Sequence, residues 1–125
     1  MTNTAWPAFL VAAAIGAAAR YLIDGFVQDR TVGAFPWGTF VVNVSGCLVL
    51  GTVTGLAQYH GLGASTRMVV GTGGMGAYTT FSTFTFETVR LVEEGAINEA
   101  LRNVAASFIV GLAAAAAGLA LTALL

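Results

Sequence analysis

Four long apolar stretches, parted by short polar gaps, decide what this chain can fold into. They cover roughly residues 6–23, 37–59, 68–91 and 100–125. A helix crossing the hydrocarbon core takes about 20 predominantly apolar residues, so the 125 residues accommodate four spans with short loops and no separate soluble domain. Charged residues make up 9% of the chain, against about 25% in a soluble domain. The expected class is an all-α membrane protein. The net charge of −1, from five arginines, no lysine and six acids, leaves no basic footprint for nucleic acid. Cys47 is the only cysteine and sits inside an apolar span. It has no disulfide partner and no metal-ligand spacing around it, and reads as a small packing residue. Ala17-Ala-Ala19 has the look of a signal-peptide cleavage site, but residues 1–5 carry no base and three more spans follow. The first segment therefore reads as a retained helix.

The third stretch is unlike the others. Gly71-Thr-Gly-Gly-Met-Gly76 places four poor helix formers in six positions. It leads into Tyr78-Thr-Thr-Phe-Ser-Thr-Phe84, dense in hydroxyls and rings. At membrane depth such backbone is tolerated only where it lines a cavity or packs against protein. The expected outcome is a helix broken at the bilayer centre around 73–78, with two half-helices meeting there. Thr79, Thr80, Ser82 and Thr83 are more hydroxyls than back-bonding to a helix's own carbonyls accounts for. Phe81 and Phe84, three apart, fall on one helical face. Glu87 lies near the end of the span, within reach of water.

The other spans carry isolated polar residues on stripes of small ones. Ala12, Gly16 and Arg20 recur every four residues, the spacing that lets another helix approach closely. Arg20 is either an interfacial snorkelling residue beside Tyr21 or a buried structural cation paired with a carboxylate or helix-end carbonyls. Asn43 heads a stripe of Gly46, Cys47, Gly51 and Gly55. Its amide either bonds two helices together or turns an N–H toward a polar path. Asn103, Ser107 and Gly111 repeat the theme in the last span, with Asn98 as an N-cap ahead of Glu99. His60, in the second loop, reads as solvated surface.

No nucleophile–base pair, metal motif, phosphate loop or paired acids occurs, so enzyme chemistry is not expected. What the spans contain is uncharged donors beside phenylalanine rings, whose edges are electropositive. Hydroxyls, an amide and ring edges ease a small anion out of water without trapping it, as conduction demands. Half-helix N-termini add roughly half a positive charge, and carbonyls freed near the glycines suit a bare cation. Four short helices do not readily enclose a pore, which points to a homodimer. Arg30, Arg90 and Arg102 lie on one side with Arg20 nearby, and Arg67 on the other. All six acids share the first side, leaving a modest orientation bias compatible with dual insertion.

These residues resemble the Fluc (CrcB) fluoride channels over essentially the whole chain. Gly76-Ala-Tyr-Thr-Thr-Phe-Ser-Thr-Phe84 is close to that family's Gly-Gly-x-Thr-Thr-Phe-Ser-Thr-Phe. Gly16-Ala-Ala-Ala-Arg20-Tyr21, Asn43-Val-Ser-Gly46-Cys, Arg67, Asn103 and Ser107 follow in matching order. The resemblance implies a prokaryotic plasma-membrane channel that exports fluoride passively and relieves its toxicity. It implies four transmembrane helices in an antiparallel, dual-topology homodimer, or a pair of homologous subunits, with two pores. It places Asn43, Phe81, Phe84, Thr80, Ser82, Thr83, Ser107 and Glu87 along the fluoride pathway. It implies a structural sodium ion at the dimer centre, held by the backbone carbonyls of Gly76 and Thr79, with Arg20 structural. Two positions depart from the family's pattern: Ala77 replaces a glycine, and Val104 stands where a pore-lining tyrosine is common. The rival readings are a small multidrug-type proton-coupled exporter, which needs an embedded acid that residues 8–21 lack, and a non-transporting membrane scaffold.

Overall fold

The computed structural model describes residues 5–125. Every regular element among them is helical. Helix α1 is Ala5–Gln28 and α2 is Trp37–Tyr59. A short α3, Ala64–Arg67, runs directly into a π-helical stretch, Met68–Met75, and then into α4, Gly76–Tyr78. After three non-helical residues the chain resumes as α5, Ser82–Glu93, and ends with α6, Ile97–Ala123. Helices α1, α2 and α6 are each long and apolar enough to cross a membrane.

The second span has the expected limits; the others differ in instructive ways. Helix α1 runs on to Gln28, so Asp24 is helical rather than part of a loop. Gly38 of α2 is a glycine because Asp24 occupies the space a Cβ would need, and Gln28 Oε1 accepts the Gly38 N–H at 3.2 Å. Contacts with α2 thus carry polar residues into a helix. Helix α6 begins at Ile97 with no side-chain cap, so Asn98 lies inside the first turn instead of capping it. His60 is not merely solvated: its Nε2 lies 2.7 Å from the Thr122 carbonyl, tying the end of α2 to the last turn of α6.

The main packing surface joins α2 to α6 through glycines. A Cβ on Gly51 would strike the Ala115 carbonyl, and one on Gly55 the Thr122 hydroxyl. From the other side, a Cβ on Gly118 would strike the Leu48 carbonyl and come within 2.7 Å of the Thr52 nitrogen. Lipid tails are as apolar as leucine, so helices in a bilayer gain by approaching closely and not by hiding from water. The small face of α1 works likewise. Ala12 and Gly16 lie against Gly74, and Arg20 on the same stripe reaches Thr79.

The glycine run therefore does not break the helix. Gly71, Gly73 and Gly74 are buried inside the π-helical stretch. Gly73 leaves room for Phe9 of α1, Gly16 of α1 sits against the Gly74 carbonyl, and Gly71 faces Leu50 and Val53 of α2. Neighbouring helices thus settle onto a widened helix, a geometry otherwise rare and confined to short insertions. The break comes later, at Thr79–Phe81, where Thr79 turns to an extended conformation with ψ 160°.

Candidate functional site

A broken helix leaves backbone donors and acceptors without helical partners, and at membrane depth each must be satisfied by protein. Side chains from two other helices do this. Asn43 Nδ2 donates to the Thr80 carbonyl at 2.9 Å, and its Oδ1 accepts the Thr80 N–H at 2.8 Å. One amide thus stands in for both helical partners of one residue. Arg20 Nη1 donates to the Thr79 carbonyl at 3.1 Å. Arg20 stays partly exposed while its guanidinium meets this helix-end carbonyl. The Thr80 hydroxyl accepts the Thr83 N–H at 3.2 Å and so closes the first turn of α5. The same hydroxyl donates to Thr83 Oγ1 at 3.0 Å and lies 3.3 Å from Ser82 Oγ. Tyr78, at the end of α4, is buried and places its hydroxyl 2.8 Å from Ser45 Oγ.

Two cavities meet at the break. The larger, an open groove of about 810 Å³, is lined by Asn43, Gly76, Thr79, Thr80, Phe81, Phe84 and Ser107 among others. Its wall is mostly apolar, and among the described residues Arg67 is the one charged residue on it. The smaller, about 280 Å³, is lined by Arg20, Asp24, Thr39, Thr80, Ser82 and Thr83. Among the described residues, Thr80 alone borders both.

The structure therefore gathers Asn43, Thr80, Phe81, Phe84 and Ser107 on one groove and Ser82 and Thr83 on the adjoining cavity. Phe81 and Phe84 hold ring centroids 5.8 Å apart at 38°. Phe81 precedes α5 and is 73% exposed, whereas Phe84 is 8% exposed. Gly76 and Thr79 line the same groove. Glu87 lines neither cavity; its Oε2 is buried without a hydrogen bond, as is the Thr39 hydroxyl beside it. Val104 is partly exposed on α6.

Sequence reasoning left one cluster unread. Asn103 is wholly buried and donates from Nδ2 to Thr88 Oγ1 at 2.9 Å. Thr88 Oγ1 in turn donates to the Phe84 carbonyl at 2.7 Å. An amide in an apolar helix always requires a partner, which was the available signal; which residue answers it depends on how α5 packs.

Chemically, the site offers uncharged donors, the guanidinium groups of Arg20 and Arg67, one broken backbone and two phenylalanine rings within an all-helical, multi-pass membrane protein. Comparison with known proteins then fixes the family. Residues 8–119 match the model of the CrcB-like protein, Camphor Resistance (CrcB) family. Fluoride-specific ion channel FluC 1 of Streptomyces avermitilis is 48% identical over 113 residues, covering 90% of this chain and 91% of that protein. Fluoride-specific ion channel FluC 1 of Frankia casuarinae is also 48% identical, over 124 residues that cover 93% and 94%. Fluoride-specific ion channel FluC 2 of Mycobacterium tuberculosis is 41% identical over 118 residues, covering 94% and 90%. The chain belongs to the CrcB family.

Proposed function

We propose that the chain conducts fluoride passively across the bacterial plasma membrane and thereby relieves fluoride toxicity. The observation that carries this reading is the groove at the break, where Asn43, Thr80, Ser107, Phe81 and Phe84 converge beside a helix N-terminus. This reading makes the groove a transport path and not an enzyme site.

The physical argument turns on how firmly the donors hold. Asn43 spends one amide proton on the Thr80 carbonyl, and a primary amide has a second. The Ser107 hydroxyl is held only by a 3.5 Å contact with Asn103 Oδ1, at the outer limit of a hydrogen bond. A passing anion borrows such donors at little cost and returns them. The N-terminus of α5 adds the positive end of a helix dipole, and the rings present edges.

The finer assembly is part of the proposal. The segment 64–93 forms a fourth crossing, bent at the break. The open, largely apolar groove on one protomer is filled by an antiparallel second copy, giving a dual-topology homodimer with two pores. A sodium ion at the dimer centre fits the residues present. The Thr80 N–H turns to Asn43 and not to the Gly76 carbonyl four residues back. The Thr83 N–H turns to the Thr80 hydroxyl and not to the Thr79 carbonyl. Gly76 and Thr79 thus offer carbonyl oxygens released from helical pairing, the hard donors such a cation takes, with Arg20 occupying one lone pair of Thr79. When bound, the ion would brace the two breaks together; it takes no part in moving fluoride.

Purified protein in liposomes tests the reading. Rapid electrogenic fluoride efflux with little chloride loss is expected, and vesicles that stay sealed around folded protein would refute it. Phe81→Ile and Phe84→Ile keep bulk but lose ring edges. Each should slow fluoride efflux by about tenfold, which corresponds to roughly 1.4 kcal/mol, while the assembly stays intact by gel filtration.

A further inference from the structure

The Phe84 ring, if it faces the anion path, must be held at a fixed height and rotation by something. Helix α5 has only 12 residues and is cut off from α4 by the break. A rotation by one residue, about 100°, would take the ring out of the groove. Burial alone sets such an angle poorly in a bilayer, where lipid is as apolar as the neighbouring helix. Polar bonds between helices fix it better.

Three side chains form such a link. The Ser107 hydroxyl donates to Asn103 Oδ1 at 3.5 Å, Asn103 Nδ2 donates to Thr88 Oγ1 at 2.9 Å, and Thr88 Oγ1 donates to the Phe84 carbonyl at 2.7 Å. The chain starts at a hydroxyl lining the groove and ends on the backbone of the residue whose ring lines it. Asn103 has no exposed surface. Among the described residues, the Asn103–Thr88 bond is the only side-chain hydrogen bond joining α5 to α6.

We infer that Thr88 and Asn103 are positioning residues of the conduction path. They lock the register of α5 against α6 so that the Phe84 ring and the Ser107 hydroxyl face the same space. Neither touches the ion. The link also biases the Ser107 proton toward Asn103 until an anion competes for it. This inference rests on the fluoride-channel reading above.

The test uses full-length protein in liposomes, with fluoride as the probe and gel filtration as the assembly check. Thr88→Val keeps shape, removes the hydroxyl and leaves the Asn103 amide without its acceptor. Fluoride efflux should fall about tenfold, as expected when a buried polar group loses its partner, with the elution volume unchanged. Thr88→Ser, which keeps the hydroxyl, should stay within about twofold of wild type. In a Phe84→Ile background, Thr88→Val should add less than about a further twofold, because two changes acting through one ring do not multiply. Wild-type flux in Thr88→Val overturns the inference, as does an equal loss in Thr88→Ser. A full multiplicative loss on top of Phe84→Ile overturns it as well. Should Thr88→Val not assemble, Thr88→Ala takes its place in every arm. A wild-type protein silent to fluoride sinks the channel reading itself, an outcome distinct from a conducting wild type with an indifferent Thr88.

Discussion

The seam between α2 and α6 and the break between α4 and α5 hold the molecule together by opposite means. At the seam, Gly51, Gly55 and Gly118 bring backbones into contact, and the side chain's contribution is to be absent. At the break, Arg20, Asn43 and Thr80 bring polar atoms to backbone groups that have lost their helix. One region is stable because nothing protrudes, the other because protruding polar groups reach backbone that the helix no longer pairs. Both devices answer a solvent that supplies neither water for hydrogen bonds nor a drive to bury apolar surface.

Adding bulk should therefore harm the seam most. Gly118→Leu forces a side chain into the Leu48 carbonyl and the Thr52 backbone, neither of which can swing away as a flexible side chain would. Overpacking a close-packed site costs about 1–3 kcal/mol and more when backbone must move. The expected result is loss of monodisperse protein after extraction. Gly25→Leu, where nothing lies within 4 Å of the added Cβ, should be tolerated. If Gly118→Leu is recovered as readily as Gly25→Leu, the seam is not held by close approach.

Removing a partner should harm the break next. Asn43→Leu leaves the Thr80 N–H and carbonyl both unpaired. At about 1–3 kcal/mol for each buried group left unsatisfied, the combined cost is roughly 2–6 kcal/mol. Asn43→Asp keeps an acceptor for the N–H and loses the donor to the carbonyl, so it separates the two halves of the pairing. A lowered midpoint in thermal unfolding, larger for Leu than for Asp, is expected together with loss of fluoride efflux. Equal stability of both variants and wild type would mean that water or another group satisfies the broken backbone.

The same contrast explains what could be read from residues alone. Trp37–Tyr59 was legible because Pro36 and a loop bound it locally. The glycine run was legible as special, yet its role was inverted: glycines that favour a break in isolation here admit α1 and α2 to a helix that continues. The break itself falls at Thr79–Phe81 because Asn43, some 37 residues away, offers Thr80 an alternative to helical pairing. No local propensity announces a partner that far along the chain. Arg20 with Thr79 and Asn103 with Thr88 are of the same kind. In each case the sequence shows a polar residue needing a partner, and only packing shows which.

The smallest effect is expected where a polar bond braces the break without bordering either cavity. The Tyr78 hydroxyl, 2.8 Å from Ser45 Oγ, acts as the donor, because the Ser45 proton is committed to the Val42 carbonyl at 3.1 Å. Neither residue lines the groove or the smaller cavity. Ser45→Ala removes both bonds and leaves the buried Tyr78 hydroxyl without its partner, a cost of about 1–3 kcal/mol, and leaves Asn43, Arg20 and Thr80 in place. The unfolding midpoint should therefore drop by less than in Asn43→Leu while fluoride efflux stays at the wild-type rate. A fall in efflux as large as that of Phe84→Ile, with little change in stability, would put the Tyr78 hydroxyl on the ion's route. It would also erase the division between groups that brace the break and groups that meet the anion.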